Sequence, residues 1–397
     1  MRALQPPKPS MTTVITLLAV SSLTVMSGTA ITMALPSMAR HFAEVDNAEF
    51  LVQLSLTMPA LINVVFAPIS GWLVDRWGRR PVLLSGLVVF AAAGGTGGLI
   101  DSIYAIILLR AVFGMGVAAI TTAAITLMGD YFAGHDRNRI MGLQGSFNAI
   151  GGIVFLFVGG VLADISWRAP FLIYFAGAPM VFAVAAVIFE PRRYEPSGAD
   201  ARLTEEPVRW SVIALLYGVG FFSLLIFYMV PIYIPFLAEA TMDATATQTG
   251  TAVAVGSAFV ALAAFVHRRL RARYTFLAIL AAQFILQGTG HTIMGHADSF
   301  VGLYVGLIVG GLGLGLLFPN ISLWLLATVP QRVRGRFVGG LTMSMYLGQF
   351  FSPIVNRPIV EWQGIGGAFE AAGILMVVGG LLFASVALGT GRIRARE

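Results

Sequence analysis

Asp75, Arg76, Arg79 and Arg80 crowd into six positions of the stretch Gly71-Trp-Leu-Val-Asp75-Arg76-Trp-Gly78-Arg79-Arg80-Pro81. A carboxylate placed this way can hold a helix N-terminus or a guanidinium, and glycines at 71 and 78 permit close helix approach and a tight reversal. Arginines that set topology beside a solvated aspartate are the plain alternative. Arg110 is a second candidate, about seven residues into the apolar run Leu109-Arg110-Ala-Val-Phe-Gly114-Met-Gly116-Val-Ala118. A cation there costs roughly 2.5 kcal/mol or more unless it faces water or a partner, so it is functional by default, with snorkelling to the outer surface as the bland reading.

Other chemistries lack their residues. No G-x-x-x-x-G-K-[ST] loop is present to hold ATP phosphates, and Gly310-Gly311-Leu-Gly313-Leu-Gly315 lies inside an apolar run, where it serves packing. His291 and His296 near one run's outer end do not make a metal-ligand spacing, and no metal or cofactor is expected. With no cysteine, disulfides and thiolate catalysis are excluded. The reading is of a protein that is not an enzyme, and one driven by a gradient because it has no nucleotide engine.

All 19 Asp and Glu residues fall in loops or at run ends, so no midplane carboxylate is visible. Proton coupling would then use a near-end group such as Asp101, Asp164 or Glu239, or Arg110 with a peripheral partner; otherwise the protein is not proton-driven. Polar residues that could line a cavity are Asn63, Gln144, Asn148, Gln283, Gln287, Asn320 and Gln349, among aromatic residues that include Tyr228, Trp324 and Tyr346. That lining suits a neutral or anionic amphipathic small molecule, with Arg110 as the one fixed positive charge.

The elements that position these residues are apolar and long. A hydrophobic share of 57% and a charged share of 11% with mean hydropathy +0.83 exclude an ordinary soluble domain, whose charged share is about 25%. Runs long enough to cross a bilayer fall at about 12–38, 50–74, 82–100, 103–129, 140–163 and 170–189, then at 210–238, 247–266, 274–294, 300–328, 337–356 and 368–389. We call them spans 1 to 12. Between the sixes lies a polar, proline-bearing segment, which divides the chain into 1–190, a linker at 191–209, and 210–397. Residues 1–11 read as a cytoplasmic tail, and span 1 is too long for a signal-peptide core. With both termini cytoplasmic, 21 of the 25 basic residues fall inside; outside are only Arg40, Arg168 and Arg357, with Arg110 in a span. The net charge of +6 therefore points to topology and an anionic leaflet, and no nucleic acid partner is expected. Arg137-Asn-Arg139-Ile-Met-Gly142 before span 5 returns as Arg334-Gly-Arg336-Phe-Val-Gly339 before span 11, and Gly114-Met-Gly116 as Gly313-Leu-Gly315, as duplicated halves would show, with chance repetition in a glycine-rich chain as the alternative.

The pattern G-x-x-x-D-R-x-G-R-R at 71–80 resembles the signature loop of the major facilitator superfamily of secondary transporters. The resemblance implies an all-α polytopic membrane protein with twelve transmembrane helices in two pseudo-symmetric six-helix bundles, working by alternating access. It implies a conformational latch: Asp75 against the N-terminus of span 11 when the cavity opens outward, and Arg79 paired with Asp130 at the inner end of span 4. Leu109 to Ala118 resembles the helix 4 motif of drug:proton antiporters, whose arginine is linked to proton coupling. Trp167-Arg168-Ala-Pro170-Phe171 matches that branch too, whereas Gly151 to Gly160 carries Phe155-Leu156 where the branch has a helix-kinking Gly-Pro. Arg268-Arg-Leu-Arg271-Ala-Arg273 stands in the second-half loop without Asp or Gly, so the latch is asymmetric. Span 7, with Tyr228, Pro231, Tyr233 and Pro235, is a candidate to bend at the outer gate. The expected function is export of amphipathic drugs or metabolites by proton antiport from a monomer in the plasma (inner) membrane. The rivals are an uptake symporter or facilitator for a small neutral or anionic solute, and a non-transporting receptor.

Overall fold

A computed structural model describes residues 9–132, 134–191, 209–330 and 333–394. The predicted linker, apart from its first and last residues, and the terminal tails lie outside them. Among the described residues there is no strand, and ten helices are long and apolar enough to cross a bilayer. Two features bring the crossings to twelve. Span 1 is two shorter helices, Met11–Met26 and Leu35–His41, joined through a 3-10 turn at Thr32–Ala34. Spans 11 and 12 form one 61-residue stretch, Arg334–Arg394, that reverses at Gly364 with φ 73° and ψ 175°, a conformation only glycine adopts readily.

Spans 2 to 6 are Ala48–Trp77, Arg79–Leu99, Ile103–Tyr131, Gly134–Ile165 and Ala169–Val187. Spans 7 to 10 are Trp210–Met242, Ala246–Arg271, Phe276–Gly295 and Phe300–Thr328. Hydroxyls start several of them: Ser10, Ser102, Thr245, Thr275 and Ser299 each accept a bond from the backbone N–H three residues on. Lipid supplies no hydrophobic drive between helices, so small residues make the contacts. A Cβ on Gly116 would sit 2.9 Å from the Gly86 carbonyl, and one on Gly256 3.2 Å from that of Leu307.

Two expected spans are not the continuous helices that their hydropathy suggests. Span 1 breaks at Ser27 to Ile31, and span 7 breaks at Tyr228, between Trp210–Phe227 and Met229–Met242. Pro231 cannot donate to the Phe227 carbonyl, which accounts for the second break. Span 5 is unbroken from Gly134 to Ile165, as Phe155-Leu156 in place of Gly-Pro would leave it.

Candidate functional site

The break in span 1 strands the carbonyl of Ser27, and Pro59 strands that of Ser55 in span 2, because proline has no N–H to offer it. Arg110 covers both. Its Nη2 donates to Ser27 O at 2.5 Å and its Nε to Ser55 O at 3.1 Å, with the guanidinium 4.5 Å from the Phe113 ring and 5.3 Å from that of Tyr174. Tyr174 donates in turn to Met26 O at 3.3 Å. Arg110 is 1% exposed, so it does not snorkel, and among the described residues no carboxylate pairs with it.

The break in span 7 is covered by a second polar group. Ser352 of span 11 donates to Leu225 O at 2.7 Å, Gln287 of span 9 to Ser223 O at 3.1 Å, and Gln283 to the Gln287 side chain at 2.7 Å. His291, 1% exposed, sets Nε2 3.1 Å from Ile226 O and Nδ1 2.9 Å from Gln287 O. The two breaks face each other across a cavity lined by Gly28, Thr29, Tyr228, Pro231, Ser257 and His291 and otherwise mostly by apolar residues. Its volume, about 100 Å³, has room for several waters, since one needs roughly 10–15 Å³ of such space. A Cβ on Gly28 would lie 3.0 Å from the Tyr228 hydroxyl.

The bundles close on the face opposite the chain ends. Asp164, at the end of span 5 on that face, accepts from the backbone N–H of Ala246 at 2.7 Å and of Thr247 at 3.0 Å, and from the Thr247 hydroxyl at 2.5 Å. It thereby caps span 8, where a helix N-terminus favours negative charge. Below it, a Cβ on Gly160 would lie 2.6 Å from Ala246 O and one on Gly250 2.7 Å from Leu156 O. Arg40 pairs with Glu239 between spans 1 and 7, and Arg357 donates to Asn47 at 2.6 Å between spans 11 and 2. Also on this face, Asp101 is held by Arg168 and by His41 at 3.0 Å; the Arg168 bond first, then the His41 bond, keeps its carboxyl below the usual carboxylate range.

The other face is open. Residues 141–147 of span 5 are exposed on nearly every side, Gln144 alone being half-buried, whereas a helix that only met lipid would show one exposed flank. A Cβ on Gly71, Gly142, Gly145, Gly335 or Gly339 would meet nothing within 4 Å. The structure is therefore closed on the face opposite the described chain ends and open towards the face that carries them.

The predicted residues divide among these places. At the span 2 to 3 loop, Arg79 Nε meets Asp130 Oδ2 at 2.9 Å, while Asp75 and Arg76 are exposed, with Arg76 5.3 Å from the Trp72 ring. Gly78, at φ 99°, leaves room for Glu190, whose carboxylate takes the backbone N–H of Arg79 and of Arg80, each at 2.8 Å. The Arg80 side chain donates to Ala185 O at 2.6 Å. Tyr346 of span 11 lies against the Asn63 amide of span 2, and Tyr228 lines the cavity. Gln144 and Asn148 are half-buried on span 5, and Gln349 is buried on span 11. Asn320 instead lies inside the second bundle, donating to Phe276 O at 2.9 Å beside His267, and Trp324 stacks on Phe276. His296 is exposed, 3.6 Å from Glu370, and among the described residues no group of His and carboxylates could hold a metal. Sequence reasoning missed Glu190 as a cap and His291 as a hinge contact. A lone acidic residue at the edge of a polar segment was the available signal for the first; for the second there was only a histidine in an apolar run.

Comparison with known proteins bears on the whole arrangement. The family described as Major Facilitator Superfamily matches residues 17–353. The multidrug transporter protein MdtP of Bacillus subtilis (strain 168) is 26% identical over 51% of this chain and 35% of its own length, so the chain spans about a third of that relative. The class G tetracycline resistance protein of Vibrio anguillarum is 26% identical over 88% of this chain and 89% of its own. Among solved structures, the D-xylose-proton symporter superposes with TM-score 0.75 at 15% identity, over 94% of this chain and 97% of that one, a likeness that carries the fold alone.

Proposed function

This chain belongs to the Major Facilitator Superfamily, and on that premise we propose that it exports amphipathic small molecules in exchange for protons. It is an integral membrane transporter with a small-molecule substrate. The observation that carries the finer reading is the cavity between the two broken spans: aromatic and aliphatic walls, a few neutral polar atoms and, among the described residues, no carboxylate to select a cation. Relatives named a bacillibactin exporter and an MFS-type efflux transporter support the outward direction, and one named a multidrug transporter protein supports the breadth of cargo. The excess of arginine on the terminal side supports cytoplasmic termini in the inner membrane and makes the structure inward-facing. We take residues 1–190 and 210–397 as the two moving bundles.

In proteoliposomes, an imposed proton gradient is expected to drive tetracycline accumulation against the direction of proton flow, collapsing on addition of a protonophore. Flux indifferent to the gradient would sink the antiport reading. Movement with the protons would make the protein a symporter.

In the same reading Asp75 caps span 11 when the inner side closes. A carboxylate at a helix N-terminus is worth about 0.3–1 kcal/mol. Asp75→Asn is therefore expected to shift the population about two- to fivefold towards the inward-facing state and to slow turnover accordingly. Unchanged turnover would remove the latch.

A further inference from the structure

We propose that His291 is the proton-binding residue of this transporter, and that its charge holds the hinge of span 7 in the inward-facing state. The inference rests on the antiport reading and supplies the titrating group that the carboxylate distribution leaves unnamed.

The argument is one of donors and acceptors. Both ring nitrogens of His291 face backbone carbonyl oxygens, Nδ1 that of Gln287 at 2.9 Å and Nε2 that of Ile226 at 3.1 Å. A carbonyl oxygen only accepts. A neutral imidazole has one N–H, so one of its nitrogens would turn a lone pair towards another lone pair in a buried site. The imidazolium has two N–H groups and satisfies both contacts. Desolvation opposes that charge, so the proton is retained only while both carbonyls stay in place. One of them, Ile226 O, belongs to the bend before Tyr228, which ties proton occupancy to the shape of span 7.

The surroundings fit a proton site. His291 lines the cavity that has room for water, beside Gly310 and Gly311 of span 10 and Gly256 and Ser257 of span 8, none of which titrates. Span 7 contributes Tyr228 to the same cavity. From span 12 comes the Phe369 ring, 5.5 Å from the imidazole, and next to it Glu370, which is engaged by His296 of span 9. From span 11, Tyr346 lies within electrostatic reach of Tyr228, as does Arg110 of the first bundle. Among the described residues no carboxylate competes at the two ring nitrogens. The two hinges thus differ in kind: span 1 is held by an arginine, which keeps its charge at every physiological pH, and span 7 by a histidine, which does not.

The test uses the full chain. In a variant with His41, His135, His267 and His296 replaced by Gln, His291 is the one histidine left, and nitrogen-15 resonances of its ring in lipid nanodiscs report protonation directly. We expect a doubly protonated ring at acid pH that loses one proton as pH rises. A singly protonated ring from pH 5 to 8 overturns the proposal. In proteoliposomes, His291→Gln keeps a donor for Ile226 O and cannot titrate. It is expected to lose at least tenfold in gradient-driven tetracycline accumulation while downhill flux persists. A wild-type protein whose flux ignores the gradient refutes antiport itself and with it the coupling role, whatever the ring titration shows. A coupled wild type with an equally coupled His291→Gln refutes His291 alone.

Discussion

Replacing Arg110 with methionine is expected to reduce transport by more than tenfold while the protein still inserts and folds. The side chain is unbranched like that of arginine but two atoms shorter, and it offers no donors. Two carbonyls, Ser27 O and Ser55 O, are left without partners at a cost of about 1–3 kcal/mol each. Against this stands the roughly 2.5–3.5 kcal/mol no longer needed to keep a cation at membrane depth. The two terms are of similar size and largely cancel, so the change in stability is a few kcal/mol at most. Geometry decides the functional effect. Ser55 cannot regain a helical bond because Pro59 has no N–H, but Ser27 can, by straightening the chain until the Ile31 N–H reaches it. Span 1 then loses the break that forms one wall of the cavity. A cysteine placed at Thr29, in a chain with none of its own, should become less reactive to a small maleimide in Arg110→Met than in the parent. Equal reactivity together with normal flux would show that the break does not depend on Arg110. Arg110→Lys should fall between the two, since an ammonium keeps the charge without the planar fork that spans two carbonyls.

The spans were legible in the sequence because bilayer thickness imposes a length and an apolar composition, which twenty-residue windows reveal. The contact of Arg79 with Asp130 was legible through the family resemblance of the 71–80 loop, and the structure has it at 2.9 Å. What stayed hidden has a common cause. A span that is apolar all round carries no periodicity to say which flank meets the partner bundle, so Asn320 could be assigned to a span and not to the interior of the second bundle. The break in span 1 was hidden for another reason. Pro36 marks only where helix resumes, at Leu35–His41; the break at Ser27 to Ile31 persists because a guanidinium more than eighty residues later in the chain takes the role of the missing N–H. Glu190 read only as the last residue before the linker, because its two acceptors are filled by the backbone of Arg79 and Arg80, a contact made only once span 6 has returned beside span 3.

Asp164 was legible as an acidic residue near a span end, and its position yields the second large effect. Asp164→Ala is expected to move the population towards the outward-open state. Its carboxylate makes three bonds to the first turn of span 8, and they join the two bundles only while the outer side is closed. Loss of a helix N-cap costs about 0.5–2 kcal/mol, which here falls on one conformation and shifts the equilibrium roughly 2- to 30-fold. Gly160→Val should act further, because a Cβ 2.6 Å from the Ala246 carbonyl meets backbone that cannot rotate away. A single cysteine at Thr249, buried in the outer vestibule, would report both through its labelling by an impermeant maleimide added from outside. Faster labelling in Asp164→Ala, and faster again in Gly160→Val, is the expected order; rates equal to the parent's would mean that the seal rests on the Arg40 and Arg357 contacts instead. The comparison reaches back to the loop at 71–80. In the proposed cycle both clamps are carboxylates of the first bundle set on helix N-termini of the second, Asp164 on span 8 outside and Asp75 on span 11 inside. Each can form only when the other has parted, so Asp164→Ala and Asp75→Asn should shift the same equilibrium in opposite directions, and the double variant should lie near the parent.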